Sequence, residues 1–474
     1  MRLKRIYEDA LAQASYLIAC DETAHAIVVD PNRDVERYLE VASDEGVTIT
    51  DVTETHIHAD FVSGARELAR RTGARLYLSG EGGPDWQYRF AGADGARLLH
   101  DGDRFDVGTI RFDVRHTPGH TPEHVCFLVT DWTMSDHPVG MLTGDFLFVG
   151  DVGRPDLLER AAKVQGTMET MARHLFRSLR ALGELPDYLQ IWPGHGAGSA
   201  CGKSLGSLPS TTLGFERVAN WAFQIDDEES FVHEVLAGQP EPPGYFARMK
   251  TVNRAGPPPW PEMESRAELH APGIRRALAT GHAVIDVRPS ADFARSHIPG
   301  TLSMPMGDSL ATWAGTLIDE GRDIVLLADD AARLRASQRV LALIGLDRVV
   351  AWAGESARLT WEAEVGPLSR VRQVAPETIA AEHRVVIDVR RSSEWAEGHV
   401  PGARHVYLGD LATGTEDLPH DTPIALHCQG STRASIAASI LQANGFTDVA
   451  NVSGGYRAWE AAGLPIERDP SHSS

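Results

Sequence analysis

Two stretches of this chain match each other. VIDVRPSADFARSHIPGTLSMP (Val284–Pro305) aligns without a gap to VIDVRRSSEWAEGHVPGARHVY (Val386–Tyr407), and Asp286 recurs as Asp388, 102 residues later. A spacing that long does not describe a solenoid unit; it describes a duplicated domain. Each copy runs on into a second apolar run, DIVLLADDAA or PIALHCQGST, and then a helical pattern, SQRVLALIGL or SIAASILQANG. Strand patterns alternating with helical ones predict two α/β domains built on parallel sheets.

Upstream, residues 1–208 alternate short β-type runs with amphipathic helices. SYLIAC and AIVVDP read as strands, RDVERYLEVASDEG as a helix closed by Gly46, and TMETMARHLFRSLRAL as a second amphipathic helix. Residues 209 to about 252 read as a helical extension, followed by the proline-rich RAGPPPWPE (Arg254–Glu262), a semi-rigid linker. The expected division is therefore 1–208, 209–262, 263–367 and 368–474.

Composition narrows the partners. With 45 Lys+Arg against 66 Asp+Glu, the net charge of −21 argues against nucleic acid, which is held by basic patches. No apolar run approaches the about 18 residues needed to span a bilayer, and charge interrupts MRLKRIYEDALAQASYLIAC before any signal-peptide core develops. Cys20, Cys126, Cys201 and Cys428 are far apart and form no CxxC pair, so they read as reduced thiols in a cytoplasmic protein. Cys20 and Cys126 sit in apolar runs and are expected in the core. A small-molecule substrate and a homo-oligomer are the expectation, with no membrane or nucleic-acid partner.

THIHADFVSG (Thr55–Gly64) carries the first chemistry. His56, His58 and Asp60 alternate, so on extended backbone they point to one side. His120 in TPGHTPEH, Asp145 in TGDFLFVGD and His195 in WPGHG each follow a glycine, where backbone can approach closely. Imidazole and carboxylate together suit Zn²⁺, Fe²⁺ or Mn²⁺. This ordered series resembles the metallo-β-lactamase superfamily, whose full pattern is HxHxDH, then a histidine, an aspartate and a histidine. The resemblance implies an αββα sandwich over about the first 208 residues. It departs at Phe61, where a histidine of the second metal position belongs. What is left is similar to the one-metal persulfide dioxygenase branch. That resemblance implies a single Fe(II) held by His56, His120 and Asp145, with His58, Asp60 and His195 orienting ligands or serving as alternative ones. GDVGRPDL (Gly150–Leu157) also resembles that branch, so Arg154 and Asp156 would support the loop or the substrate, or form a buried ion pair.

HCQGSTRAS carries the second chemistry. Cys428 lies between a strand pattern and a helix, where backbone N–H groups and the helix dipole favour an anion and lower a thiol's pKa. Arg433 adds a positive charge. The two copies resemble rhodanese domains over roughly residues 266–470, which implies doubly wound parallel sheets and, in the second copy, a sulfurtransferase loop with Cys428 as persulfide carrier. In the first copy, LLADDAARLRA puts Ala328 or Asp329 at the cysteine position, so that copy is expected to be silent. Cys201, six residues after His195, is a candidate sulfur relay or a packing residue.

Together the resemblances imply a persulfide dioxygenase–sulfurtransferase acting on a low-molecular-weight thiol persulfide, O2 and sulfite. The alternatives are a zinc-dependent, glyoxalase II-like thioester hydrolase fused to a rhodanese, and a non-catalytic sulfur carrier.

Overall fold

The strand Gln13–Ala19 (QASYLIA) is buried at all seven positions, as a strand covered on both faces must be. Its alternate residues serve two cores. Leu17 and Ala19 face helices Glu36–Asp44 and Ala65–Thr72, packing with Tyr38, Ala42 and Leu68. Tyr16 and Ile18 face a second sheet and meet Phe112, Val114 and Phe127. That second sheet turns Cys126, Leu128, Met141 and Ile191 outward against helices Met168–Ala181 and Glu228–Leu236. The result is four layers, helix–sheet–sheet–helix, with the expected αββα order. Leu17 is fully buried, so truncating it to alanine costs about 2–5 kcal/mol.

In the computed structural model, residues 1–160, 166–261 and 266–468 are described, with backbone alone for Leu158. The expected boundary at 262/263 and the residues after 468 lie outside them. The chain divides into two compact units, Met1–Pro261 with Leu343–Gly345, and Glu262–Ala342 with Leu346–Ser474. In the first unit each sheet has six strands. Gly140–Gly144 and Gln190–Pro193 run parallel in the second sheet, and His25–Val29 and Thr48–Thr53 run parallel in the first. The loops leaving these four strands converge on the histidine-rich site.

The second unit holds two five-stranded sheets with the same strand order. All their pairings are parallel. Registers match between copies: Asp286 pairs with Leu327, and Asp388 with His427. Ala328, not Asp329, therefore stands where Cys428 stands. Helices cover both faces of the second copy's sheet. Ala425 and Ala450 pack with Tyr456 and Trp459 on one side, while Ile424 and Leu426 pack with Ile436 and Leu441 on the other.

Helix Thr432–Ala443 (TRASIAASILQA) is buried nearly all round. One side rests on its own sheet. Another meets the first copy, where the Ser303 N–H donates to Ser439 Oγ at 2.9 Å and Ser303 Oγ lies 3.2 Å from Ser435 Oγ. Phe293, Ala294 and Trp313 of the first copy complete the same apolar cluster. Among the described residues, no helix is long and apolar enough to cross a membrane.

Candidate functional site

Strand Thr48–Thr53 ends just before the THIHADF loop. Thr55 anchors the turn: its N–H donates to Asp30 Oδ1 at 2.6 Å and its hydroxyl to Asp30 Oδ2 at 2.9 Å. Thr55 Oγ1 also lies 2.9 Å from His56 Nδ1. Because the hydroxyl proton goes to Asp30, His56 Nδ1 must be the donor in that contact. The His56 tautomer is thereby fixed, with a lone pair on Nε2. Asp30 also accepts from His58 Nε2 at 3.1 Å. Burial alone would lower the His58 pKa, but the charge and hydrogen bond of Asp30 lift it to about 9. His58 is thus a cation held by Asp30. Phe61 is fully buried with its ring 4.4 Å from that of His58. Asn253 fastens this loop, donating to the carbonyls of His58 and Phe61 at 2.8 and 2.7 Å and accepting from the Ser63 N–H at 2.9 Å.

Asp145 enters from the end of strand Gly140–Gly144. Gly144 has φ +48°, and a Cβ there would lie 2.4 Å from Thr55 Oγ1, so only glycine fits. The Asp145 N–H donates to His124 Nε2 at 3.1 Å, and His124 Nδ1 lies 2.9 Å from Thr117 Oγ1. Asp145 Oδ2 sits 3.5 Å from His120 Nε2 and 3.9 Å from His56 Nε2. The ligating atoms of His56, His120 and Asp145 lie within 4.8 Å of one another. His56 Nε2, His120 Nδ1 and Asp145 Oδ2 are buried without a hydrogen-bond partner. Burial pushes both imidazoles toward the neutral, ligating form. Burial would raise the Asp145 pKa, but His195, His120 and His56 hold it well below the usual carboxylate range. Two imidazoles and a carboxylate that converge in this way, with His56 Nε2 and Asp145 Oδ2 left unpartnered, fit a cation.

His195 has neither ring nitrogen free. Nδ1 bonds Asp145 Oδ1 at 2.7 Å and Nε2 bonds Asp60 Oδ2 at 2.8 Å. Against the cost of burial, those two carboxylates raise its pKa to about 10, so it bridges them as an imidazolium. Cys201 joins Asp60 and His195 in a second cluster of ligand atoms within 4.8 Å. It is almost fully buried, and burial drives its thiol pKa up. Arg154 forks onto Asp156 at 3.0 and 2.8 Å and donates to the carbonyls of Ala200 and Pro240. These donors go to protein groups and tie Asp156 to the segment that carries Cys201.

Cys428 lies at the end of strand Ile424–His427, at the mouth of helix Thr432–Ala443. The backbone N–H groups of Ala434, Gly430 and Arg433 and the Arg433 charge favour the thiolate. Burial outweighs them, however, and the thiol pKa is raised rather than lowered as the loop pattern predicts. Arg433 is shared with Glu394 through two bonds of 2.5 and 2.7 Å. His427, the residue before, is buried with both ring nitrogens unpartnered. Asp30, His124 and Asn253 were not legible as site residues. Cys20 lies in the core as expected, and its thiol, which burial would raise, is brought down to about 7 by Thr109 and Thr23.

The metallo-beta-lactamase superfamily model matches residues 9–195, and the rhodanese-like domain model matches residues 271–355 and 373–462. A metallo-beta-lactamase from Staphylococcus aureus, known from its crystal structure, aligns with a TM-score of 0.68 at 38% identity, over 74% of this chain and 98% of that one. A hydroxyacylglutathione hydrolase of Polaromonas sp. is 34% identical over 197 residues, 41% of this chain and 66% of the hydrolase. The chain thus spans slightly less than two thirds of that relative's length. The persulfide dioxygenase ETHE1 of Bos taurus is 27% identical over 195 residues, 41% of this chain and 67% of the dioxygenase. The chain belongs to the metallo-β-lactamase superfamily. Within it, this chain joins a domain of that fold to two rhodanese-like domains with parallel sheets and has relatives among the persulfide dioxygenases.

Proposed function

We propose that the chain oxidises a low-molecular-weight thiol persulfide with O2 and passes sulfane sulfur to the sulfite formed: R–S–SH + O2 + H2O → R–SH + SO3²⁻ + 2 H⁺, then Cys428–S–S⁻ + SO3²⁻ → Cys428–S⁻ + S2O3²⁻. The observation that carries this reading is the His56–His120–Asp145 face. It offers two imidazoles and one carboxylate, with Phe61 in place of a further ligand. Such a face suits one Fe(II) per chain, and bound there the iron supplies redox chemistry and open positions for O2 and a substrate sulfur. The similarity to persulfide dioxygenases supports the same reading.

The residues around that face have assignable roles. His195 holds Asp145 by Oδ1 and leaves Oδ2 toward His56 and His120. Asp30, through Thr55, orients His56, and His124 holds the Asp145 backbone. In the rhodanese-like copy, the N–H groups of Ala434, Gly430 and Arg433 stabilise the anion at Cys428 before and after it gives up sulfur. Sulfite, a small anionic nucleophile, suits the same loop. We place the protein in the cytoplasm and expect a homo-oligomer.

The deciding experiment is O2 uptake by the iron-loaded chain with a panel of thiol persulfides. Stoichiometric zinc with no persulfide-dependent uptake would sink the dioxygenase reading. His56→Ala is expected to abolish iron binding, His58→Ala mainly to slow turnover, and Phe61→His to bring no gain in oxygenation. A second reading, a zinc-dependent thioester hydrolase, is favoured by the 34% identity to hydroxyacylglutathione hydrolase. Zinc-dependent release of glutathione from a hydroxyacyl thioester is its test.

A further inference from the structure

We propose that Glu394 is a positioning residue that gives sulfur transfer at Cys428 its direction, making the loop a donor of sulfur to sulfite rather than a taker of sulfur from thiosulfate. The inference rests on the carrier role proposed for Cys428 and adds what regulates it. Glu394 lies on helix Ser392–Glu397, and its carboxylate meets Arg433 as a fork. Arg433 Nη1 donates to Oε2 at 2.5 Å and Nη2 to Oε1 at 2.7 Å. That is the geometry in which arginine grips any oxyanion. The Arg433 and Glu394 side chains are only 19% and 25% exposed, so solvent and salt screen the pair little. Burial would raise the Glu394 pKa, but Arg433 holds it below the ordinary value, and the carboxylate keeps its charge at neutral pH. Arg433 is thus neutralised by Glu394 before any anion reaches it.

The first copy shows that the fold does not demand this pairing. By the register of the repeat, Asp292 stands where Glu394 stands, and Arg333, five residues after Ala328, stands where Arg433 stands. There each has another partner: Asp292 pairs with Arg295 at 2.9 Å, and Arg333 with Asp329. The carboxylate sits on the loop cation in the copy that has the nucleophile. Other charges around Cys428 do not replace that cation. Arg390 is taken up by Asp388, at 3.0 and 2.7 Å, and lies over the Tyr456 ring. Burial keeps His427 neutral above about pH 4. With Arg433 neutralised as well, burial prevails and the emptied Cys428 is a thiol at neutral pH. A persulfide is intrinsically a stronger acid than a thiol, so the loaded residue is still an anion. Discharge is then Cys428–S–S⁻ + SO3²⁻ + H⁺ → Cys428–SH + S2O3²⁻. The sulfite lone pair forms the new S–S bond, the Cys428 Sγ–S bond breaks, and its electron pair stays on Sγ, where solvent supplies the proton. A protonated Cys428 cannot attack thiosulfate, because thiolate is the nucleophile. Removing the Glu394 charge would free Arg433 to hold the thiolate and open the reverse reaction.

The test uses the full chain without O2, with Glu394→Gln, which keeps the shape and removes the charge, and Glu394→Asp, which keeps the charge. Iodoacetamide alkylation of Cys428 is read by peptide mass against pH. In the wild type its midpoint should lie above the value of about 8.5 of a free thiol. In Glu394→Gln it should fall by about one pH unit, and in Glu394→Asp it should return near the wild-type value. At pH 7, Glu394→Gln should raise kcat/KM for thiosulfate, with cyanide as acceptor, about tenfold. Transfer from preloaded Cys428 to sulfite should rise by less. A midpoint that Glu394→Gln leaves in place overturns the proposal. So do rates that fall together in both directions, the mark of a residue that only caps its helix. If Glu394→Gln does not fold, the wild-type chain decides: a Cys428 midpoint at or below that of a free thiol refutes the inference, and a higher one supports it. Those failures leave Cys428 standing as the carrier; transfer that survives Cys428→Ser removes the carrier and this inference with it.

Discussion

Asn253→Ala probes how the metal-binding loop is held. The side chain is 1% exposed and makes three hydrogen bonds to the backbone of His58, Phe61 and Ser63, each between 2.7 and 2.9 Å. At about 1 kcal/mol net for each bond, the loss is about 3 kcal/mol. For a unit the size of Met1–Pro261, a loss of that size lowers the transition temperature by about 6–12 °C. Asn253→Asp tests the chemistry rather than the volume. It keeps the acceptor for Ser63 N–H but turns a second oxygen on two carbonyls, so it should fall at least as far as alanine despite being isosteric. The assay is thermal unfolding of the full chain, following the first transition, since a multi-unit chain has no single unfolding free energy. If neither variant shifts that transition by more than about 2 °C, the loop does not depend on Asn253, and the hydrogen-bond argument is refuted.

Other perturbations have equally definite outcomes. Arg154→Met leaves Asp156 buried with Arg160 at 3.3 Å as its remaining partner and should cost about 3–5 kcal/mol in the same thermal assay. A loss under about 1 kcal/mol would show that the pair is dispensable. Cys428→Ser should abolish thiosulfate:cyanide sulfur transfer while sparing O2 uptake, and transfer that survives would remove Cys428 as the carrier. His427 sets a pH dependence: burial, helped by Arg390 and opposed by Asp388, lowers its pKa from 6.5 to about 4. The folded state takes the proton less readily than the unfolded chain. The stability it contributes is therefore complete above about pH 6.5 and lost as pH falls toward 4, on the order of 3 kcal/mol in all. His427→Leu, which copies Leu327 of the first repeat, should flatten the fall in urea midpoint between about pH 7 and 5; an unchanged fall assigns it to other groups.

The fold was legible because each domain announces itself through patterns that are local: strand alternation, amphipathic helices and a repeat with few gaps. The candidate ligand His56 stood out because it shares one short loop with His58 and Asp60, and His120 and Asp145 because each directly follows a glycine. Asn253 was not, since a polar residue in helix Phe246–Ala255 looks like any other until the fold carries it to a loop 192 residues away. Asp30 lies inside the AIVVDP strand pattern; its charge matters only once strands His25–Val29 and Thr48–Thr53 lie side by side. Cys201 has no spacing that marks it as a neighbour of Asp60. The Cys428 thiol shows the opposite failure: the loop was read correctly, but its depth is a property of the packed domain, and burial reversed the expected direction.

Helix Thr432–Ala443 carries one more implication, for anyone who would divide this chain. Its Ala- and Ser-rich middle, Ala434–Ser439, is buried throughout, and Ser303, Phe293 and Trp313 of the first copy lie against the helix. Deleting that copy would lay bare an apolar patch beside the very helix that shapes the Cys428 loop, an invitation to aggregation. The first copy has Ala328 where the second has Cys428, yet its Ser303 is bonded to the helix behind that cysteine. The tandem is one indivisible part, to be transplanted or engineered whole.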